Sequence, residues 1–235
     1  MNLDPLCPSQ PTLDAGLDAG AFSAWLARSR NALLESSGSD VDCGDCRGCC
    51  RSSYFIHIRP EETSTLERID PRLLFAAPAM PRGNVLMGYD EHGRCPMLVG
   101  GDCSIYPQRP QTCRRYDCRI FAATGLAAGD EDEKSEINER VRRWRFSYPT
   151  EQDRLEHDAI LAAADFIARH PECFPNGMVP TAPSHLALLA IKVYGVFLVP
   201  RGRSDDPESR KWEIARAVVE ESRKFDAMME EREVA

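Results

Sequence analysis

The chain has no apolar run long enough to cross a bilayer. Its longest apolar stretch, Leu186 to Pro200, is interrupted by Lys192 and Gly195 and falls short of the ~20 residues a spanning helix needs, so it reads as a buried helix. The opening Met1-Asn2-Leu3-Asp4-Pro5 has no basic segment followed by an apolar one, which predicts no signal peptide and a cytoplasmic chain without a membrane partner. Positive charge is not in excess either. At a formal charge of −8, nonspecific nucleic-acid binding is not expected, because that binding needs Lys and Arg to displace condensed counterions. Glycine-rich phosphate loops, HExxH zinc-protease motifs and GxSxG nucleophile elbows are all missing. His157, His170 and His185 have no metal-ligand spacing with one another, and His57 and His92 read as a strand residue and a turn residue. No catalytic residue is nominated, and whether the chain is an enzyme stays open.

What is abundant is cysteine. The ten are Cys7, Cys43, Cys46, Cys49, Cys50, Cys95, Cys103, Cys113, Cys118 and Cys173, and eight of them fall between Cys43 and Cys118. In a reducing compartment such density points to metal or redox chemistry rather than to disulfides. Cys43-Gly44-Asp45-Cys46-Arg47-Gly48-Cys49-Cys50 sets three cysteines two residues apart. A tight turn can aim such a pair at one ion, as in zinc knuckles and iron–sulfur loops. The adjacent Cys49 and Cys50 are expected to diverge, so that either one is spare or the two face different metals. The second group, Cys95, Cys103, Cys113 and Cys118, has intervals of seven, nine and four residues. Eight thiolates suffice for two four-sulfur zinc sites, or for one 4Fe-4S cluster with four cysteines left over. Cys7 and Cys173 belong to no close spacing and are expected to be unliganded.

Thiolates around a cation leave net negative charge, so nearby cations and N–H donors are expected. Arg47, Arg109, Arg114, Arg115 and Arg119 are placed in sequence to supply them, with Arg109 and Arg114 assigned to the cofactor.

The rest of the chain reads as helix. At 235 residues, 43% apolar and 28% charged, it can bury a core without a metal. Residues 1–20 are punctuated by Pro and Gly and predict loose order. Phe22, Trp25, Leu26, Leu33 and Leu34 predict a helix over residues 21–35. Residues 54–58 read as a short strand stopped by Pro60, and Ser64 with Glu67 as a capping box for a helix that buries Leu66, Ile69 and Leu73 and that Pro71 can break. An acidic stretch, 129–139, runs into Arg140, Arg142, Arg143 and Arg145, which reads as a solvated helix with oppositely charged ends. Residues 151–169 place Leu155, Ala159, Ala162, Ala163 and Phe166 on one face; 181–199 predicts a deeply buried helix; Trp212, Ala215, Val219 and Met229 mark a last amphipathic one. The expected fold is predominantly α, with an irregular cysteine-rich region and few short strands, its metal-stabilised core packed by helices. Three regions follow: an N-terminal segment and helix (1–36), a bipartite cysteine-cluster metal-binding region (37–124) and a C-terminal helical region (125–235).

The cysteine spacing also carries a resemblance. The CxxCxxCC run Cys43 to Cys50, the Gly93-Arg94-Cys95-Pro96-Met97-Leu98 element and the stretch Cys103-Ser104-Ile105-Tyr106-Pro107-Gln108-Arg109-Pro110-Gln111-Thr112-Cys113-Arg114-Arg115-Tyr116-Asp117-Cys118 together resemble the YkgJ-like cysteine-cluster family, described as zinc- or iron-chelating. The resemblance covers about a third of the chain and leaves the later helices unexplained. It implies a zinc or iron cofactor, or a 4Fe-4S cluster, held by the eight cysteines, and it likewise marks Tyr106, Arg109, Pro110, Arg114 and Tyr116. A similar motif in flagellin lysine methylases would imply an iron–sulfur cluster, but no methyl-donor site is evident in this chain. Two functions follow as expectations: a noncatalytic thiolate-based zinc- or iron-binding module, with a protein partner among its expected ligands; or an iron–sulfur redox or modifying enzyme.

Overall fold

The computed structural model describes residues 16–35, 37–39, 41, 43–175, 178–198 and 206–234. Cys7 lies outside them. The chain enters through β1 (Leu17–Ala21), where a strand stands in place of the loose order expected up to Gly20, and passes directly into α1 (Phe22–Glu35). A 3₁₀ turn at Gly48–Arg51 carries the last two cysteines of the first group. β2 (Ile56–Ile58) follows, then α2 (Thr63–Leu66), which Pro71 and a second 3₁₀ turn separate from β3 (Leu74–Ala76). β4 (Val85–Met87) lies between β2 and β3 and runs antiparallel to both. The Ser64–Glu67 capping box is not used: α2 starts at Thr63, with Glu62 at the N-cap position but making no side-chain cap bond to the helix, and the Glu62 carboxylate instead accepts from the Arg59 N–H at 2.9 Å and the Gln111 N–H at 2.6 Å. One acid thus ties the start of α2 to the second cysteine group.

β5 (Leu98–Val99) and β6 (Asp102–Cys103) form a two-residue ladder, followed by α3 (Gln111–Arg115) and α4 (Arg119–Thr124). α5 (Glu131–Arg143) carries the expected acidic start and basic end: Asp130 accepts from the Asp132 N–H at 2.8 Å, and Arg140, Arg142 and Arg143 fill the last turn, as the helix dipole favours. β7 (Trp144–Ser147) then pairs with β1 in parallel.

The remaining chain is helical: α6 (Glu151–Arg169), α7 (Pro183–Val193) and α8 (Pro207–Val234). α6 begins where Thr150 and Asp153 form a reciprocal capping box, and Asp153 also accepts from the Ser23 N–H at 2.8 Å, pinning the start of α1 to the start of α6. The buried stripe of α6 is Ala159, Ile160, Ala163, Ala164 and Ile167, so the expected face is rotated: Leu155 is 47% exposed and Ala162 is exposed. On α8 the inner face is Ala215, Val218, Ser222 and Phe225, while Trp212 is 48% exposed. Small residues among them let these helices approach closely.

Two helical cores result. One joins α6, α7 and α8 through Ala163, Ile167, Ala190, Val193, Ala215 and Val218. The other joins α1, α4, α6 and α7 through Phe22, Trp25, Leu26, Ala123, Ile160 and Ile191. Two smaller cores serve the cysteine region. Ile56, Ile58, Ile69, Met87 and Ile105 back the small sheet, and Phe121, Ala128 and Ile137 join α4 to α5. No helix among the described residues is long and apolar enough to cross a membrane.

Candidate metal centre

The first cysteine group is shaped by two turns. The Cys46 N–H donates to the Cys43 carbonyl at 2.9 Å across a turn whose Gly44 sits at φ +48°, a backbone region that glycine enters without steric cost. The Cys50 N–H then donates to the Arg47 carbonyl at 2.9 Å inside the 3₁₀ turn. Gly48 lies against Ile137 of α5, where a Cβ would come within 3.1–3.3 Å of the Ile137 side chain and the helix backbone.

The second group meets the first through the backbone. The Cys95 N–H donates to the Cys50 carbonyl at 2.8 Å, and the Leu98 N–H donates to the Cys95 carbonyl at 2.9 Å. β5 and β6 place Cys103 opposite Leu98, and Cys113 rides on α3, whose Thr112 hydroxyl donates to the His57 carbonyl of β2 at 2.7 Å. Cys95, Cys103 and Cys113 all pack against the small-sheet core, whereas Cys49 and Cys118 pack against the α4–α5 core with Tyr54 and Tyr116.

Electrostatic neighbours follow much of the same division, with crossings where Cys43 also feels Cys50 and Cys49 also feels Cys113. Cys113 lies in the field of Cys50, Cys95 and Cys103. Cys118 lies in that of Cys43 and Cys46. Cys49 and Cys50 stand at the junction. Their thiols act on each other rather than facing apart as neighbours on a strand would. A 3₁₀ turn sets successive side chains only roughly 120° apart, which permits this. The Cys50 thiol beside it and burial push the Cys49 thiol up; Cys50 is held down by Cys49 and by Arg47 and Arg51.

Burial pushes Cys95 up to about 11, Cys113 up to about 12 and Cys118 up to about 11, and it raises Cys43 and Cys103 as well. These thiols are therefore protonated near neutral pH, and a thiophilic cation binding them must expel protons. No cysteine among the described residues is in a disulfide, so all eight sulfurs are chemically available. In type, the donor set fits zinc or iron. In spacing it is open: among the described residues no three His, Cys, Asp or Glu side chains are grouped closely enough to hold a metal ion.

Cations surround the thiols. Arg47 spans both groups: its guanidinium donates to the Gly44, Cys46 and Gly101 carbonyls at 2.7, 2.9 and 3.0 Å and pairs with Asp102. Arg109 lies in the field of Cys43, Cys103 and Cys113 and stacks on Tyr106 at 4.1 Å. Arg114 is directed at the loop itself, donating to the Pro107 and Arg109 carbonyls at 2.7 and 2.9 Å, so it positions the segment that carries Arg109. Arg119 is buried against Asp117, and Arg115 faces a cavity on the far side of α3.

Three supporting residues lie outside the cysteine spacing and carried no signal in it. Trp144 donates its indole N–H to the Cys118 sulfur at 3.2 Å. Arg140 lies in the field of Cys43 and stacks on Trp144 at 5.0 Å. Lys134 donates to the Ser52 carbonyl and stands 4.2 Å over the Tyr54 ring, itself 5.7 Å from the Tyr116 ring. Of the other candidates, His57 bonds Asn84 at 2.8 Å, His92 is exposed beside Glu91, and Cys173 is buried in the α6–α8 core beside Glu172.

The fold thus defines a predominantly helical protein with a thiol-rich unit built on turns and short strands. Residues 42–141 match the CxxCxxCC family, described as "Putative zinc- or iron-chelating domain". That stretch contains all eight clustered cysteines and extends through most of α5, in agreement with the YkgJ-like resemblance. No curated protein and no solved structure matches the chain.

Proposed function

We propose that this chain is a thiolate-based zinc- or iron-binding module without a reaction of its own. Its centre is bipartite: Cys43, Cys46, Cys49 and Cys118 form one half, and Cys50, Cys95, Cys103 and Cys113 the other. The carrying observation is the backbone bond from Cys95 to Cys50, which joins the two cysteine groups while Cys49 packs with Cys118 on the opposite core. Each half has the four sulfurs of a closed tetrahedral site, and loading would draw the open set inward. Arg47, Arg109 and Arg140 would offset thiolate charge, and the Trp144 N–H would direct Cys118.

Metal and sulfide analysis of anaerobically purified protein tests this. Two bound zinc ions, or iron with sulfide, are expected, with lower content in Cys46→Ser and unchanged content in Cys173→Ser. Protein free of metal and cluster under reducing conditions would refute the proposal. A second reading, an iron–sulfur redox or modifying enzyme, draws on the ferredoxin-like intervals of Cys43, Cys46 and Cys49. It requires visible charge-transfer absorption; a colourless protein with stoichiometric zinc excludes it.

A further inference from the structure

An open cavity of about 480 Å³ lies beside the place where the two cysteine groups meet. Two backbone bonds fix its position: the Cys95 N–H donates to the Cys50 carbonyl at 2.8 Å, and the Ser53 N–H donates to the Gly93 carbonyl at 2.9 Å. Residues 50–53 and 93–95 are thereby held side by side, and Arg51 and Arg94 come to line the same space. α5 contributes Glu136, and the β5–β6 hairpin contributes Leu98, Gly100 and Gly101. The two glycines, at φ +63° and +94°, make the turn of that hairpin, and a Cβ added to either would meet nothing within 4 Å. That part of the rim is therefore backbone bare of side chains. Leu98 is the one apolar side chain in the wall, too little surface to hold an apolar ligand.

Charge in the wall is predominantly positive. Its acid, Glu136, is engaged by Arg51 at 3.1 Å through Nη1 alone, which leaves the other guanidinium donors of Arg51 for a second partner. Arg94 is not engaged in this way: among the described residues its guanidinium makes no ion pair or hydrogen bond, and only its backbone N–H is held, by Asp90 Oδ1 at 2.8 Å. Asp90 lies in the field of Arg94, but Oδ1 also accepts from the His92 N–H at 2.9 Å, so this acid closes its own turn. Glu91 stands 3.5 Å from the ring of His92, the remaining residue of the wall. A cationic ligand would thus meet Arg94 uncompensated, whereas each planar guanidinium matches one carboxylate or phosphoryl group. Two arginines on one cavity favour an ion with more than one such group, and the volume falls within the roughly 300–1,000 Å³ of ligand cavities.

We infer that this cavity is a binding site for a small polyvalent oxyanion, a polycarboxylate or an oligophosphate, with one anionic group on Arg94 and a second on Arg51. The inference is independent of the metal reading, because no thiol takes part and the site is present in the metal-free chain.

Isothermal titration of the reduced, metal-free full chain with citrate and with pyrophosphate, and with triethyl citrate as the neutral counterpart, tests it. Saturable binding of at least one anion at one site is expected, about tenfold or more tighter than the ester, and the tighter of the two anions identifies the anionic group recognised. Arg94→Met should weaken that anion by about three- to tenfold, the range of an exposed charge-assisted contact. Glu136→Gln, which removes the wall's acid and releases Arg51, should strengthen it by about threefold. Both side chains are exposed, so neither change opens a core. Absence of saturable binding by either anion, equal affinity for the ester, unchanged affinity in Arg94→Met, or unchanged or weaker binding in Glu136→Gln would overturn the assignment. So would binding that appears only after zinc or iron is restored, which would place the anion on the metal.

Discussion

Gly48 is where the cysteine turn touches α5, and Gly48→Ala tests how tightly the two are joined. A methyl group there would lie 3.1 Å from Ile137 Cγ1, 3.2 Å from the Ile137 backbone nitrogen and 3.3 Å from the Glu136 carbonyl carbon. The first contact can be relieved by a rotation of Ile137. The other two cannot, because they are helix backbone, so α5 or the 3₁₀ turn must move by a few tenths of an ångström. Ile137 is 2% exposed and sits in the core that Cys49 and Cys118 pack against, and Glu136 is paired with Arg51 at 3.1 Å. Overpacking at such a contact costs about 1–3 kcal/mol. For a chain of this length each kcal/mol corresponds to roughly 2–4 °C in the melting midpoint. Thermal denaturation should therefore show a fall of several degrees, and metal content should drop with it because Cys49 and Cys50 follow Gly48 directly. In a double-mutant cycle, Ile137→Ala, which removes Cγ1, should offset only part of the loss caused by Gly48→Ala. An unchanged midpoint and metal content for Gly48→Ala would refute the packing argument, and complete loss of the Gly48→Ala effect in the Ile137→Ala background would show that the side chain, not the helix backbone, was the obstacle.

Other expectations follow from the same contacts. Arg47→Met removes donors from three backbone carbonyls in the two cysteine groups, but the Asp102 it pairs with is 77% exposed and water can replace the lost bonds. The stability loss should stay below about 1 kcal/mol while metal passes faster to a competing chelator; a large loss of stability with unchanged metal release would contradict this. His157 stacks on Phe22 at 4.3 Å and meets the Tyr148 hydroxyl at 2.7 Å, and burial lowers its pKa against the weaker upward pull of Asp158. The unfolded chain then takes up the proton first, so this contribution is complete above the ordinary histidine value of about 6.5 and is lost as pH falls from there through the folded value. Denaturant midpoints should decline between about pH 7 and 5, and His157→Phe should flatten the decline; an identical slope in the variant would remove His157 as its source. Chelation of bound metal should raise hydrogen exchange over residues 43–128 and leave α6, α7 and α8 protected, since their core contains none of the eight clustered cysteines. Uniform deprotection would show that the centre holds the whole fold.

Much of the helical architecture was legible because it rests on local rules. α6 starts and stops where the pattern placed it, and Thr150 with Asp153 closes its first turn. The orientation of its face was legible in part. Ala159 and Ala163 are buried and Phe166 packs on the core as the periodicity placed them, but Leu155 and Ala162 face outward, while Ile160, Ala164 and Ile167 complete the buried stripe. β1 escaped notice for a different reason. Leu17-Asp18-Ala19-Gly20-Ala21 has little strand propensity, and it is defined by pairing with Trp144–Ser147, more than a hundred residues away. In the cysteine region, spacing identified the thiols and several of the arginines around them. It carried nothing about Trp144, Lys134 or Tyr54, because a donor to sulfur and a cation over a ring have no fixed interval from the residues they serve.

The adjacency of Cys49 and Cys50 acquires a physical sense from this arrangement. On a strand, two consecutive cysteines would point to opposite faces and could not share a neighbourhood. In the 3₁₀ turn the two thiols stay neighbours, while the surrounding chain divides between two supports: the small sheet under Cys95, Cys103 and Cys113, and the α4–α5 core beside Cys118. Gly48 lets that turn lie directly on α5, and Arg47 binds its start to the loop before Cys103. Displacing the turn should therefore alter both halves of the proposed centre together, whereas displacing either support should alter one. In that proposal the CC pair joins the two halves, and the core of α6, α7 and α8 contains none of its cysteines.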